Sequence, residues 1–303
     1  MNNYLKILLF LFILFFTWYE YFGYERFIDI ENYNYSFYNS LFEYTQPTFI
    51  KIIFGEYLFY FILLFFSFVT DFNTFHYFIS LFISLVILIF NFHQVRNVLV
   101  LILLINPLFF EICYGQLRTG LALAFFLLYI MLKDKNIIFR LFFLIPPLIH
   151  SSFFLFSFMY LFGVFFFQSK RFSFNNRLLY LTLLLLCAIL FCFTKTYVLY
   201  FIGDVRYNAA STSQSLSFTL PWIIIYIILF LGIKRLSSVS FFYFSCITLF
   251  VVSFFFNHYN LRFLSVSYCA FLPVLKFVNF DFRNMVYLIF IFFNSYHWVL
   301  WLN

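Results

Sequence analysis

The segment Phe75–Phe90, FHYFISLFISLVILIF, decides the fold class because almost every residue in it is apolar. A bilayer core about 30 Å thick is crossed by roughly 20 apolar residues in an α-helix. Runs of the same kind lie near both ends of the sequence, at Leu5–Trp18 and Met285–Leu302. The sequence therefore predicts an all-α integral membrane protein with several spanning helices.

The composition of the whole sequence leads to the same prediction. Of its 303 residues, 65% are hydrophobic and 10% are charged, whereas soluble domains carry about 25% charged residues. Basic loops on the cytoplasmic side of a membrane explain the net charge of +7, so we expect no nucleic-acid partner. The five cysteines show no C-x-x-C spacing, and we expect neither a metal nor a cofactor.

The apolar runs predict ten or eleven spans in one polytopic domain that covers residues 1–303. The positive-inside rule places the basic loops between them in the cytoplasm. These loops contain Lys133/Lys135/Arg140, Lys170/Arg171/Arg177, Lys234/Arg235 and Lys276/Arg283. The predicted spans are 5–24, 52–70, 74–92, 97–112, 117–132, 138–167, 178–202, 219–233, 239–257, 261–276 and 284–302.

One of these spans, 138–167, is predicted to be broken. Pro146-Pro147 removes two backbone donors, and the polar run His150-Ser151-Ser152 follows directly. Arg140 and Lys170 can both face the cytoplasm only if the chain between them enters the membrane and returns. We therefore predict a broken or re-entrant helix near Pro146-Pro147, where protein or a water-filled cavity covers the freed backbone groups.

The segment at about 25–47 is predicted to be an external loop, because four acids face a single arginine in it. Asp29 with Tyr33, and Glu43 near Pro47, combine carboxylates and aromatic rings that suit sugar hydroxyls and sugar faces. Arg206 and Tyr207 form a similar pair in a second external segment. For all of these residues the alternative interpretation is an ordinary solvated loop.

Arg118 is the clearest functional candidate, since it lies between two apolar runs. A charged side chain at the middle of a span costs about 2.5–3.5 kcal/mol on insertion scales, so it usually faces a partner or a cavity. Glu111 is close enough in sequence to be that partner, which would make the pair structural. The alternative is an anion site, in which the guanidinium binds phosphate oxygens bidentately.

Two further polar residues are candidates for the same site. His150 follows the predicted break, and its neutral-range titration suits proton transfer or a hydrogen bond to phosphate. Arg262 opens a late span at the predicted outer surface and could join an anion site there. A structural histidine and an interfacial arginine are the alternatives.

Several short motifs follow one another along the chain. They are Asp29-x-x-x-Tyr33, Arg118-x-Gly-Leu-Ala-Leu-Ala, the Lys133-Asp-Lys135 turn, His150-Ser-Ser and the Asn260-Leu-Arg262 helix. In this order and spacing, over most of the chain, they resemble the EpsG family of Wzy-type polysaccharide polymerases.

The resemblance implies a metal-independent membrane glycosyltransferase that joins undecaprenyl-diphosphate-linked repeat units into an O-antigen, capsule or exopolysaccharide. It would act at the outer face of the bacterial cytoplasmic (inner) membrane, with a flippase and a chain-length regulator as partners. Arg118, helped by Arg262 or His150, would stabilise the departing diphosphate. Asp29, Glu43 or His150 would accept the hydroxyl proton. The residues expected to bind substrate are Arg262, Tyr33, Arg206, Tyr207 and Glu111.

Three other functions stay open at this point. A lipid-linked oligosaccharide flippase shares the substrate, but such transporters are usually longer and often have internal repeats, which this sequence lacks. A membrane O-acyltransferase that modifies surface glycans would have a histidine near an early span, and Tyr4–Tyr24 contains none. A scaffold subunit of an envelope complex would tolerate substitution of Arg118 and His150.

Overall fold

The computed structural model describes residue 27 and residues 29–43, 56–95, 102–167, 174–201, 215–256 and 261–302. This part of the chain is helical, apart from one isolated antiparallel bridge between Ile233 and Val278. The predicted all-α class is therefore confirmed for the described residues.

The helices are numbered here in chain order. The first seven are α1 (Asp29–Glu43), α2 (Tyr57–Ser67), α3 (Phe72–Val95), α4 (Pro107–Phe110), α5 (Leu117–Leu132), α6 (Ile137–Arg140) and α7 (Ile145–Ile149). The others are α8 (Ser152–Phe167), α9 (Phe174–Phe201), α10 (Leu216–Gly232), α11 (Ser238–Phe255), α12 (Leu261–Tyr268), α13 (Phe271–Leu275) and α14 (Phe280–Leu302). Short 3₁₀ turns cover Ile102–Leu104 and Leu141–Phe143, and one π-helical turn covers Glu111–Gly115.

Two of the described helices, α3 and α11, are long and apolar enough to cross a membrane. A third candidate is the bent pair Pro107–Gly115 and Leu117–Leu132, whose two halves meet at 102°. Shorter apolar helices include α2 and α10. These two or three candidates are consistent with a membrane protein but do not reach the predicted ten or eleven spans, and the predicted span 5–24 lies outside the described residues.

The bend replaces two of the predicted separate spans, 97–112 and 117–132. A Cβ added to Gly120 would lie 2.3 Å from the carbonyl oxygen of Ile112, so only glycine permits this close approach of the two halves. On the other side of the bend, His76 of α3 uses Nε2 to hydrogen-bond the carbonyl oxygen of Tyr114 at 2.9 Å. The bend is thus stabilised both by packing and by a buried side chain.

Buried and half-buried side chains also satisfy backbone carbonyls at other interruptions of the helices. Tyr268 donates to the carbonyl of Leu103, and Trp298 Nε1 donates to that of Ile105 at 3.3 Å. Asn91 Nδ2 donates to the carbonyl of Cys269, between α12 and α13, at 2.8 Å. Irregular backbone at membrane depth is tolerated only where protein or water satisfies it, and these contacts meet that requirement.

The second predicted break is present but lies at His150 rather than at the two prolines. Pro146 and Pro147 lie in the first turn of α7, where backbone N–H groups have no partner within the helix. His150 follows α7 in an extended conformation (φ −144°, ψ 118°), and α8 begins at Ser152. The predicted span 138–167 is therefore interrupted at His150, between α7 and α8.

Three of the predicted cytoplasmic loops meet at one end of the molecule. Lys133, directly after α5, donates from Nζ to Tyr160 of α8 and to Ser238 of α11, both at 3.0 Å. The N–H of Lys234 donates to the carbonyl of Phe277 at 2.8 Å, which joins the loops after α10 and α13. Lys170 and Arg171 lie outside the described residues. We call the end formed by these three loops the basic end.

Candidate functional site

Arg118 lies at the opposite end of α5 from Lys133. Fifteen residues of α-helix span about 22 Å, so the Arg118 side chain is separated from the basic end by most of the length of α5. Around it the structure brings together residues from five separate parts of the chain, which we call the charged cluster. Its members are Asp29, Tyr33, Glu56, Arg118, His150 and Arg262.

Glu56 is the centre of the charged cluster, although it is not among the predicted site residues. Its side chain is buried, and its carboxylate Oε2 forms an ion pair with Nη1 of Arg118. Oε1 lies 2.5 Å from Nδ1 of His150 and accepts hydrogen bonds from the N–H and hydroxyl of Ser151 at 3.3 and 3.2 Å. One carboxylate therefore joins α5 to the break between α7 and α8.

The backbone of Glu56 is also unusual. It adopts a left-handed conformation (φ 62°, ψ 31°), the only positive φ at a described residue other than glycine. Non-glycine residues in this region cost of order 1 kcal/mol or more and are enriched at functional sites. The conformation places Glu56 directly before the first turn of α2, with its side chain turned into the protein.

Arg118 pairs with Glu56 and not with Glu111, which corrects the expected partner. Besides Glu56, Nη1 of Arg118 contacts the hydroxyl of Tyr60 at 3.5 Å. The buried Nε of Arg118 has no hydrogen-bond partner among the described residues. Glu111 instead accepts a hydrogen bond from Nε2 of Gln116 at 2.8 Å. The guanidinium thus keeps donor capacity that Glu56 does not use.

The contact between His150 and Glu56 is short, but it does not follow the direction of the ring N–H. It is a close polar contact of a buried imidazole rather than a straight hydrogen bond. Arg118 and Arg262 also act electrostatically on His150. Because Nδ1 faces Glu56, the other ring nitrogen, Nε2, is turned away from the carboxylate.

The predicted external loop is largely a helix, since α1 covers Asp29–Glu43. Asp29 and Tyr33 are four residues apart and so lie on one face of this helix. Asp29 accepts from Nη2 of Arg262 at 2.9 Å, and the Tyr33 ring lies 5.5 Å from Cζ of Arg118. One helical turn of α1 thus contacts both arginines.

Tyr33 links the two ion pairs of the charged cluster. Burial raises the pKa of its phenol, and Arg118, Asp29 and Arg262 all act on it electrostatically. Its ring packs edge-on against Phe59 of α2 at 5.5 Å. The hydroxyl therefore stays neutral and can donate a hydrogen bond at physiological pH.

The charged cluster is more open at one side than at the other. The side chains of Asp29 and Arg262 are 28% and 26% exposed, that of Arg118 is 15% exposed, and that of Glu56 is 2% exposed. A ligand would therefore meet the Asp29–Arg262 pair first and Arg118 next. Glu56 and His150 form the closed inner wall.

Glu111, one of the predicted substrate-binding residues, lies close enough to the charged cluster to act electrostatically with Arg262 and Asp29. Glu43, Arg206 and Tyr207 are not placed in this cluster. Glu43 ends α1, and fourteen residues of helix put its backbone about 21 Å from that of Asp29. The Glu43 side chain and the residues Arg206 and Tyr207 lie outside what the structure describes. Their predicted roles stay predictions.

Chemically, the charged cluster offers two guanidinium groups to an anion, together with an imidazole and a phenol. Within the described ranges, no three His, Cys, Asp or Glu side chains are placed to hold a metal ion. Comparison of the chain with protein-family models, with curated proteins and with solved structures gave no match. Function is therefore inferred from the charged cluster and from the motifs that supply its residues.

Proposed function

We propose that this protein is a membrane glycosyltransferase that joins oligosaccharide repeat units carried on undecaprenyl diphosphate into a surface polysaccharide. The observation that carries the proposal is the convergence of Asp29, Tyr33, Arg118, His150 and Arg262 in one half-open cluster. These are the residues of the motifs that resemble the EpsG family. Two arginines beside an imidazole suit a reaction that releases a diphosphate.

The proposed orientation places the charged cluster at the external face. Basic loops are retained in the cytoplasm, and three of them form the basic end, about 22 Å along α5 from Arg118. The partly exposed Asp29–Arg262 pair would then be the entrance for glycans outside the membrane. Lipid-linked donor and acceptor would both approach from the bilayer.

In the proposed reaction, a hydroxyl oxygen of the acceptor sugar attacks the anomeric carbon of the donor. A new carbon–oxygen bond forms, the bond from that carbon to the diphosphate oxygen breaks, and the electron pair leaves with the diphosphate. Arg118 and Arg262 would balance the charge that develops on the leaving group. The hydroxyl proton passes to a base.

His150 is the best-supported candidate for that base. Its Nδ1 faces the Glu56 carboxylate, so Nε2 could accept a proton while Glu56 stabilises the resulting imidazolium, as in other His–carboxylate pairs. Asp29 is already engaged by Arg262. Tyr33 would serve as a hydrogen-bond donor to a phosphate or sugar oxygen.

The test is genetic. The gene is deleted in its host and complemented with wild type, Arg118→Ala or His150→Ala at matched membrane expression, and the surface glycan is displayed on a gel. Arg235→Ala and His93→Ala serve as matched controls, because both side chains are exposed and outside the charged cluster.

A polymerase predicts that deletion collapses a long ladder to a single repeat unit. Wild type and both controls should restore the ladder, and the two cluster variants should not. Loss of all repeat units would indicate a flippase, and a full ladder without an acyl modification would indicate an acyltransferase. A normal ladder with both cluster variants would refute a catalytic role for the cluster.

A further inference from the structure

The ion pair between Glu56 and Arg118 occupies the position at which an anionic ligand would have to bind. Glu56 is the least exposed member of the charged cluster and is held there by a left-handed backbone. Like a phosphate group, its carboxylate is negatively charged and can accept hydrogen bonds from a planar guanidinium. The ligand-free site therefore already contains a built-in anion.

The contact that Glu56 makes with Arg118 is incomplete. It engages Nη1, whereas Nε of Arg118 is buried with no hydrogen-bond partner among the described residues. A guanidinium binds phosphate most strongly through two parallel N–H donors. A diphosphate could therefore take over Arg118 by using donors that Glu56 leaves unused.

The second oxygen of the same carboxylate ties this exchange to His150. Oε1 already contacts Nδ1 of His150 and is held by the N–H and hydroxyl of Ser151. If Arg118 moves to a phosphate, Glu56 keeps its contacts with His150 and Ser151 and can stabilise the imidazolium that forms when His150 accepts the proton. Glu56 would then position and stabilise His150 at the moment when the diphosphate is bound.

We infer that Glu56 is a positioning residue that holds Arg118 as an internal competitor of a diphosphate group and, when the diphosphate displaces it, orients His150. The inference rests on the proposed function, because it assumes that the ligand of Arg118 is a diphosphate. It predicts that one substitution moves ligand affinity and turnover in opposite directions. A residue with a merely structural role would not separate the two.

The discriminating variant is Glu56→Gln, which keeps the size of the side chain and removes its charge. Without the competing carboxylate, binding of inorganic diphosphate to the purified full-length protein in detergent should become about tenfold tighter, within the usual range of coupling between charged groups. In complemented cells, the yield of long glycan should fall at least tenfold, because His150 loses its carboxylate. Both changes are measured against wild type.

Glu31→Gln is the matched control, since it removes the same charge from an exposed position on α1. It should change neither the affinity nor the glycan ladder. Glu56→Asp serves if the glutamine variant does not fold, because it keeps the charge but shortens the reach to Arg118 and His150. Its affinity for diphosphate should lie between that of wild type and the roughly tenfold tighter affinity predicted for Glu56→Gln.

The outcomes separate this inference from the proposed function. If wild type binds no inorganic diphosphate, the proposed anion site is wrong and the inference falls with it. If wild type binds diphosphate but Glu56→Gln, or Glu56→Asp in its place, binds it equally or more weakly, the inference is refuted and the proposed function stands. Tighter binding with a reduced ladder supports both.

Discussion

Removing the positive charge of Arg118 should destabilise the protein more than removing both charges of its ion pair. Glu56 is almost fully buried, whereas the Arg118 side chain is 15% exposed, so Arg118→Met leaves a buried carboxylate without its main partner. Breaking a buried pair typically costs 3–5 kcal/mol. His150 and Ser151 still contact Glu56 in this variant. We therefore expect its free energy of unfolding to fall by an amount at the lower end of this range, about 3 kcal/mol.

The expected change in melting temperature follows from this figure. At about 2–4 °C per kcal/mol, the conversion for domains of about 150–250 residues, the apparent midpoint of Arg118→Met should fall by about 6–12 °C. In Glu56→Gln/Arg118→Met neither charge remains, and replacing both partners of a buried pair is often close to neutral. The double variant should therefore recover at least half of the loss.

Four of the five cysteines are buried and all are free thiols, so a thiol-reactive fluorogenic dye reports unfolding in detergent directly. Arg235→Met, at an exposed arginine, controls for the loss of a positive charge. If the unfolding midpoint of Arg118→Met falls by less than about 2 °C, where about 6–12 °C is expected, the buried Glu56 carboxylate does not need Arg118 as its partner. Additive effects of the two substitutions would show that the charges are not coupled.

Three further variants test the architecture that positions the charged cluster. Gly120→Ala places a Cβ 2.3 Å from the Ile112 carbonyl oxygen and should cost about 1–3 kcal/mol or more as overpacking; an unchanged melting curve would contradict the tight bend. His76→Leu leaves the Tyr114 carbonyl without its buried partner and should cost about 1–3 kcal/mol, whereas a stabilised variant would show that the contact is dispensable. Lys133→Met removes two hydrogen bonds at the basic end and should lower the midpoint but leave diphosphate affinity as in wild type; a loss of affinity would place Lys133 nearer the site than described.

The sequence predicted much of the charged cluster because polar residues within apolar runs are costly and need partners. Arg118 and His150 are predicted for that reason, and Arg262 because it opens a late span. The structure brings them together with Asp29 and Tyr33, which the external segment also predicts. What connects them could not be read from the sequence, since Glu56 lies 62 residues from Arg118 and 95 from Ser151. Glu56 did leave a signal, as the one charged residue in the predicted span 52–70.

The irregular parts of the fold were harder to predict. The acids of segment 25–47 predict a loop, but Ile30, Tyr33 and Phe37 have helical spacing and form the buried face of α1. The proline pair indicated a break, but proline is tolerated in a first turn, so the break fell at His150. The 102° bend depends on contacts across the chain, and Gly120 alone does not specify its angle.

The most direct test of the central claim uses the lipid-linked repeat units that should accumulate in membranes of the deletion strain. Purified wild-type protein, Arg118→Ala or Arg235→Ala is reconstituted with lipids extracted from that strain, and the products are separated by length. We expect wild type and Arg235→Ala to produce glycans longer than one repeat unit, and Arg118→Ala to produce none. Single repeat units with every protein would contradict a polymerase, and equal chain lengths with Arg118→Ala and wild type would contradict the assignment of the charged cluster as its active site.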